Sequence, residues 1–429
     1  MAAPFHLGWF GSFTRGGFTG RWAGSDATRW ANGEFHIELA QALERACFDY
    51  MMFEDSLMVS DFYGGSMKTN LKYGSHGPKH DPLALVPVIA KQTKHIGLIA
   101  TASTSFYPPY MLARTLATLS HLSGGRTGWN IVTSSEQRAA QNFGAELPRH
   151  DERYDRADEF CAVVNALLNS WEPDAAVYDR ATGTVADGGK VHTIDFEGKY
   201  FRSRGPLNTL PPVDGKPVYC QAGSSPRGRR FGAEHADTIL ASESGIGEMK
   251  RYREQVRTQM AELGRDPDSV KMLFIVQPFI ADTVEEAKAL KARSKAPVES
   301  LLCTMAALME IDFSTYDLDA PIDEEMRTNG HQGYLDRFVK TGKGGKTLRE
   351  VCDNFSISCL DLFGTPDSIA SRMGEAMEEI GGDGFLFTGI SNRKQVAELT
   401  EGLVPELQRR GLTRSEYTHD TLRGNLFAF

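Results

Sequence analysis

The chain has 429 residues, 41% of them hydrophobic and 24% charged, an ordinary balance for a globular protein with a large buried core, so disorder is not the default anywhere. A net charge of -9 gives no chain-wide basic footprint for nucleic acid, and no apolar run reaches the roughly 20 residues of a bilayer span. The start MAAPFHLGWF lacks the basic segment and apolar core of an export signal, which makes the cytoplasm the expected location.

Short apolar runs suited to buried parallel strands alternate with longer amphipathic stretches, the pattern of repeated strand-helix units. The first strand is expected at 5–10. A helix at about 35–46 leads to an apolar strand at 50–55 that ends on Glu54 and Asp55. A helix at 83–93, a strand at 96–103 and a helix opened by Pro108-Pro109 follow, and Gly124-Gly125 ends that helix near 122. A strand at 127–133 and a helix at 151–171 complete four units. Residues 172–215 then mix Asp, Gly and Pro with short apolar alternation, which predicts an insertion of hairpins.

The rhythm resumes with strands at 217–223, 238–242 and 271–281 and helices at 225–236 and 247–263. A helix from 284 opens a mixed stretch holding Met305, Met309, Met326 and Gly342-Lys343-Gly344-Gly345, too long for a simple connection, so a second insertion is expected at about 290–360. Thr365-Pro366-Asp367 begins another helix, 384–388 supplies an eighth strand and 395–410 an eighth helix. Eight units predict a TIM (β/α)8 barrel with insertions, one domain over 1–429. A doubly wound open sheet is the alternative, but Gly11-Ser12-Phe13-Thr14-Arg15-Gly16-Gly17 lacks the Gly-x-Gly-x-x-Gly spacing expected after its first strand.

Active sites of such barrels lie at the carboxyl ends of the strands. That rule selects Asp55, Thr101, Ser103, Asn130, Thr133, Ser134, Ser224 and Ser225. Gln221 to Arg230 reads as strand, Gly-Ser-Ser turn and helix start, where free backbone N–H groups attract phosphate, with Arg227, Arg229 and Arg230 adding charge. Ser225 alone could equally be a helix N-cap. His150 and Tyr154, four apart, could be an exposed capping pair, and Asp55 could cap its own loop. Trp129 suits barrel packing. Glu54 and Asp55 as paired hydrolytic carboxylates are set aside, because adjacent strand residues point to opposite sides.

No metal is expected. The six cysteines (Cys47, Cys161, Cys220, Cys303, Cys352 and Cys359) form no Cys-x-x-Cys pair and read as buried small apolar residues, and no His-x-x-x-His falls on a helical stretch. The loops after strands one and two carry Phe10, Phe13, Phe18, Trp22 and Phe62, which suit an apolar or aromatic molecule or ordinary loop packing. Arg15, Arg21 and Lys68 there could instead meet an acidic substrate.

The strings SGGRTGWNIVTS (123–134), QNFG (141–144), RYDRADEF (153–160), RGPLN (204–208) and QAGSSPRGRRF (221–231), in order along nearly the whole chain, closely resemble the nitrilotriacetate monooxygenase component A family of bacterial luciferase-like flavoproteins. Within it the chain most resembles the dibenzothiophene-sulfone monooxygenases. The resemblance implies a barrel that takes FMN as FMNH2 from a separate NAD(P)H:flavin reductase, activates O2 to oxidise a small molecule, and associates as a dimer or tetramer. By position, Asp55, Thr101, His150, Tyr154, Ser225 and, more weakly, Ser224 match the family's cofactor contacts. Asn130 with Thr101 matches the oxygen pocket of relatives, whether nitrogen 5 or carbon 4a of the flavin receives the oxygen. An amide and a hydroxyl suit that task because they hydrogen-bond a developing anion without titrating. Aminopolycarboxylate oxidation, or a flavin- or deazaflavin-binding dehydrogenase without oxygen chemistry, is the alternative on the same barrel.

Overall fold

The computed structural model describes residues 3–15 and 26–429. Eight parallel strands close a barrel: β1 (His6–Ser12), β2 (Tyr50–Glu54), β3 (Gly97–Ser103), β4 (Thr127–Val132), β5 (Val218–Gln221), β6 (Thr238–Ala241), β7 (Lys271–Val276) and β8 (Gly384–Phe387). Each pairs with its sequence neighbours, and β8 closes on β1, the connectivity of a TIM barrel. Every residue of β3 is buried, as a strand with helices outside and side chains inside requires.

The outer helices are α1 (Glu34–Arg45), α2 (Pro82–Ala90), α3 (Pro109–Ser123), α4 (His150–Leu168), α5 (Pro226–His235), α6 (Ile246–Glu262) and α7 (Pro366–Ile380). Their starts follow the expected punctuation. Asp81, Ser225 and Thr365 each cap a helix whose first residue is proline, and Gly124 ends α3 in the left-handed conformation at φ 68°. The last helix, α8, runs as Arg393–Ala397, Glu398–Leu403 and Val404–Arg409, with the middle part widened to a π turn. Pro405 has no N–H for the carbonyl four residues back, so the widening falls where the α ladder cannot continue.

The strand expected at 271–281 is two. β7 stops at Val276, and Phe279–Ile280 pairs instead with Phe363–Gly364 in a separate two-stranded sheet. Pro278 between them cannot donate to the barrel ladder. Residues 172–215 carry two hairpins, Ala176–Asp179 with Thr184–Ala186 and Phe196–Glu197 with Arg202–Ser203. Between β7 and α7 the chain builds the helices Val298–Met309, Gln332–Gly342 and Leu348–Asn354 around their own apolar cluster, centred on Leu302, Phe313 and Phe338. That cluster stands over the carboxyl ends of the strands.

The opposite end of the barrel is sealed by the C-terminal tail. Leu422 fills space left by two glycines: a Cβ on Gly97 would lie 2.3 Å from Leu422 Cδ1, and one on Gly128 3.4 Å from Cδ2. Asp49 fixes the tail. It accepts from His6 Nδ1 (2.9 Å), the Leu7 N–H (2.9 Å) and the Arg414 guanidinium (2.7 Å), and Arg414 also donates to the Asn425 carbonyl (2.6 Å). All six cysteines are buried and unpaired. Trp129 is wholly buried, its ring N–H donating to the Ala102 carbonyl at 2.9 Å. No helix among the described residues is long and apolar enough to cross a membrane.

Candidate active site

A cavity of about 390 Å³ opens at the carboxyl ends of the strands. Its floor comes from the barrel, through Phe10, Met52, Asn130, Leu240 and Ile275, and its roof from the excursion after β7, through Thr304, Leu308, His331, Tyr334 and Arg337. Barrel geometry places the floor; the roof rests on the apolar cluster described above.

Thr101 and Asn130 are register partners across β3 and β4. Both are buried, and Asn130 Nδ2 donates to Thr101 Oγ1 at 2.8 Å while Thr101 Oγ1 donates to the Phe53 carbonyl at 2.7 Å. The threonine has one proton and has committed it, so toward Asn130 it can only accept. This fixes the amide toward Thr101 and leaves Asn130 Oδ1 without a partner among the described residues, so the pair presents an acceptor rather than the donors expected for a developing anion. An orphaned acceptor at a barrel mouth costs stability unless a ligand's N–H or O–H meets it. Thr101 lies outside the main cavity wall, behind Asn130, against a smaller void.

Strand β2 ends at Glu54, and both Glu54 and Asp55 line the cavity. The expectation that the two must face opposite ways fails here, because strand alternation stops where the strand does. They differ in charge state instead. Lys79, nearly buried, donates to Glu54 Oε1 (2.8 Å) and Oε2 (3.0 Å) and to Ser56 Oγ (3.1 Å). Burial would raise Glu54, but this pairing outweighs it and holds the carboxyl below its ordinary range. Among the described residues Asp55 has no cation in hydrogen-bond contact and accepts the Ser56 N–H at 2.9 Å, and burial pushes it up to about 7.

The turn after β5 is packed against the start of α5. Ser225 Oγ accepts the Gly228 N–H at 3.0 Å, so the N-cap reading holds as geometry, and its hydroxyl also adjoins the Tyr154 phenol. A Cβ on Gly228 would lie 2.7 Å from Tyr154 Oη and 3.1 Å from Ser225 Oγ, and one on Gly223 would lie 2.8 Å from the Gly228 Cα. Only glycines let strand end, helix start and phenol meet. His150 sits beside Tyr154, ring centroids 5.2 Å apart, and His150, Tyr154, Ser224 and Ser225 all line the cavity. The helix terminus and these groups place hydroxyl, phenol and imidazole side chains at one end of the cavity. The three arginines stand outside the cavity wall. Arg227 pairs with Asp155 (3.1 Å) and Asp158, Arg230 with Glu262 (3.9 Å), and Arg229 donates to the Ser224 carbonyl, bracing the turn.

Of the expected aromatic contacts, Phe10 lines the cavity. Phe13 does not: it is buried edge-on against Trp30 and His36. Phe62 packs on the roof cluster beneath the Arg138 guanidinium. Phe18, Trp22 and Arg21 lie outside the described residues. Lys68 is exposed away from the cavity and Arg15 donates to the Tyr73 carbonyl, so neither presents charge to a ligand there.

The structure adds residues that the sequence reading missed. Lys79 and His76 come from the loop after β2, Arg153 from α4, and His331 and Tyr334 from the start of Gln332–Gly342. Burial holds His331 at about 4, so it is neutral near pH 7. Its Nδ1 accepts the Tyr334 N–H at 3.4 Å, which assigns the ring proton to Nε2. No periodicity marks a loop residue, and a histidine acting as its own helix cap carries no familiar signal.

The family model described as luciferase-like monooxygenase matches residues 8–384. The chain is 35% identical to dibenzothiophene-sulfone monooxygenase of Rhodococcus erythropolis over 97% of this chain and 95% of that one. It is 32% identical to nitrilotriacetate monooxygenase component A of Aminobacter aminovorans, over 95% and 92%. A crystal structure of riboflavin lyase with modified FMN and riboflavin superimposes with a TM-score of 0.91 at 32% identity, covering 99% of this chain and 96% of that one. With a closed eightfold barrel, a polar mouth and matches that span nearly every residue, the chain belongs to the luciferase-like monooxygenase family.

Proposed function

We propose that this chain is the oxygenase of a two-component system, a monooxygenase that uses FMNH2 from a separate NAD(P)H:flavin reductase to oxidise a small apolar or heteroaromatic compound. The product follows from oxygen insertion or from cleavage of a carbon-heteroatom bond. The observation that carries the reading is the pairing of two unlike ends in one cavity: an anion cradle at Ser224, Ser225 and Tyr154, and a fixed, unsatisfied acceptor at Asn130. A planar cofactor with a phosphate tail fits that arrangement.

Reduced flavin, when bound, supplies the electrons that activate O2. The chain does the rest. The N-terminus of α5 with Ser225 and Tyr154 holds the phosphate, and the glycines at 223 and 228 let the backbone approach it. Asn130 offers Oδ1 to a ring N–H or to a protonated oxygen, held in place by Thr101. The roof from residues 304–337 covers part of the cavity and so reduces the water around a bound ligand.

A neutral substrate suits a cavity in which Lys79 is met by Glu54, while the donors of Arg337 are taken by the Ser242 and Ser358 carbonyls and those of Arg153 in part by the Pro148 and Asn329 carbonyls. Purified protein with FMN, NADH, a generic flavin reductase and O2 is expected to oxidise members of an organosulfur and heteroaromatic panel. Hydrogen peroxide as the sole product across that panel would count against the reading, and turnover of nitrilotriacetate alone would favour the acidic-substrate alternative.

The cradle has its own test. Gly228→Ala pushes a methyl group into Tyr154 Oη and Ser225 Oγ, and FMN binding is expected to weaken about tenfold or more, the scale of one hydrogen bond to a charged group. Riboflavin, which lacks the phosphate, should lose little. Fluorescence titration of both flavins reads the difference.

A further inference from the structure

Behind Asn130 lies a second void of about 10 Å³, the space of a single water molecule. Its wall includes Asp55, Thr101, Ser103, Tyr107, Ser134 and Glu136. Asp55 and Glu136 line the main cavity as well, so two carboxyl groups stand in the partition between the spaces. The remaining wall mixes hydroxyls with Leu57, Ala102 and Val132, and Ser134 Oγ hydrogen-bonds Ser103 Oγ at 2.8 Å. Tyr107, half-buried at the start of α3, leads outward.

Among the described residues no cation makes direct contact with either carboxyl. Asp55 accepts the Ser56 N–H, and Glu136 accepts the Ser135 N–H at 3.0 Å. The charges facing them are few. Lys79 acts on both from its seat on Glu54; Glu54 and Asp81 face Asp55, while Arg153 and Glu310 face Glu136. His76 beside Glu54 is neutral, held at about 4 by burial, and Tyr107 is pushed up to about 12 by burial and stays protonated. Burial raises both carboxyls, Asp55 to about 7. A carboxyl that titrates near neutrality, shares a one-water void with a second raised carboxyl and touches the reaction chamber is placed to deliver protons.

We propose that Asp55 and Glu136 form a proton relay through this partition, with Asp55 as the donor to oxygen in the main cavity and Glu136 as the group that recharges it. The inference rests on the monooxygenase reading, in which one oxygen atom of O2 ends as water and takes up protons. In the step, the O–H bond of Asp55 breaks toward the departing oxygen and its electron pair stays on the carboxylate. A proton then passes from Glu136 through the void to Asp55, and solvent restores Glu136 along the Tyr107 side. No electron moves in either transfer.

The first test needs no cofactor. Infrared pH titration of the full chain should show a protonated carboxyl signal that disappears near neutrality and is absent in Asp55→Asn. In Glu136→Gln, with an unchanged circular dichroism spectrum, its midpoint should move down, since a like charge across the void is gone. An unmoved midpoint overturns the coupling. In the loaded enzyme, Glu136→Gln should slow O2-dependent turnover about tenfold, less than the ~100-fold of losing a general acid outright, with the loss growing above the Asp55 midpoint. Glu136→Asp should restore the profile. Turnover equal to the parent at every pH overturns the relay while leaving the monooxygenase reading intact; failure of that reading alone leaves the infrared shift in place.

Discussion

Asn130→Ala is expected to lower substrate oxidation by about ten- to 100-fold, the scale of one buried hydrogen bond whose partner is left unmet, while FMN stays bound. The argument begins with the proton that Thr101 spends on the Phe53 carbonyl. That commitment orients the Asn130 amide before any ligand arrives, so its Oδ1 needs no reorganisation when a hydrogen-bonding partner appears. Alanine removes an orphaned buried atom together with the hydrogen bond to Thr101, two effects of opposite sign, so the variant should stay close to the parent in stability. Activity and stability therefore move apart, which a thermal unfolding scan beside the turnover assay would show. Thr101→Val is expected to give a smaller loss of the same kind, because valine frees the amide to rotate without removing it. Unchanged oxidation in Asn130→Ala would end the role given to this residue.

The largest expected effect on folding is at the other end of the barrel. Asp49→Ala should cost about 3–5 kcal/mol, the range for breaking a buried ion pair and stranding its partner. The carboxylate is 1% exposed and gathers three donors, and the alanine leaves the 5% exposed Arg414 guanidinium without a counter-charge. Arg414 holds Asn425, so the tail should loosen in the same transition, and limited proteolysis should cut after residue 411 sooner than in the parent. Urea unfolding reads the midpoint. The pH dependence has a definite sign. Burial would raise Asp49, but His6, Arg414 and the Leu7 N–H hold it below its ordinary value. Its contribution is therefore present above the unfolded carboxyl range and lost as pH falls through the folded value.

The contrast between these two ends shows what a sequence can disclose. Barrel strands and helices were legible because apolar runs alternate with amphipathic ones and because Pro109, Gly124, Ser225 and Pro366 punctuate them. The break at Pro278 was also written in the chain, although the apolar run across it reads as continuous. Asn130 and Thr101 were legible as strand ends, and parallel register makes them partners. The roof was not legible. His331, Tyr334 and Arg337 reach the cavity from a segment whose path depends on its own apolar cluster, and nothing local announces which way it folds. Phe13 and Phe62 show the converse, since aromatic residues near a site pack wherever apolar surface is available.

The buried thiols acquire a meaning once the chain is placed among oxygenases. Flavin enzymes that misfire release hydrogen peroxide, and peroxide attacks thiolates rather than thiols. Here burial raises every cysteine above its ordinary range, Cys220 to about 12 and Cys352 to about 11, and all six are shielded from solvent. The thiols are thus poor targets for peroxide. Oxidative wear would begin instead at the half-exposed thioethers of Met67, on the short helix Met67–Tyr73 after β2, and Met111, on α3, neither of which lines the cavity.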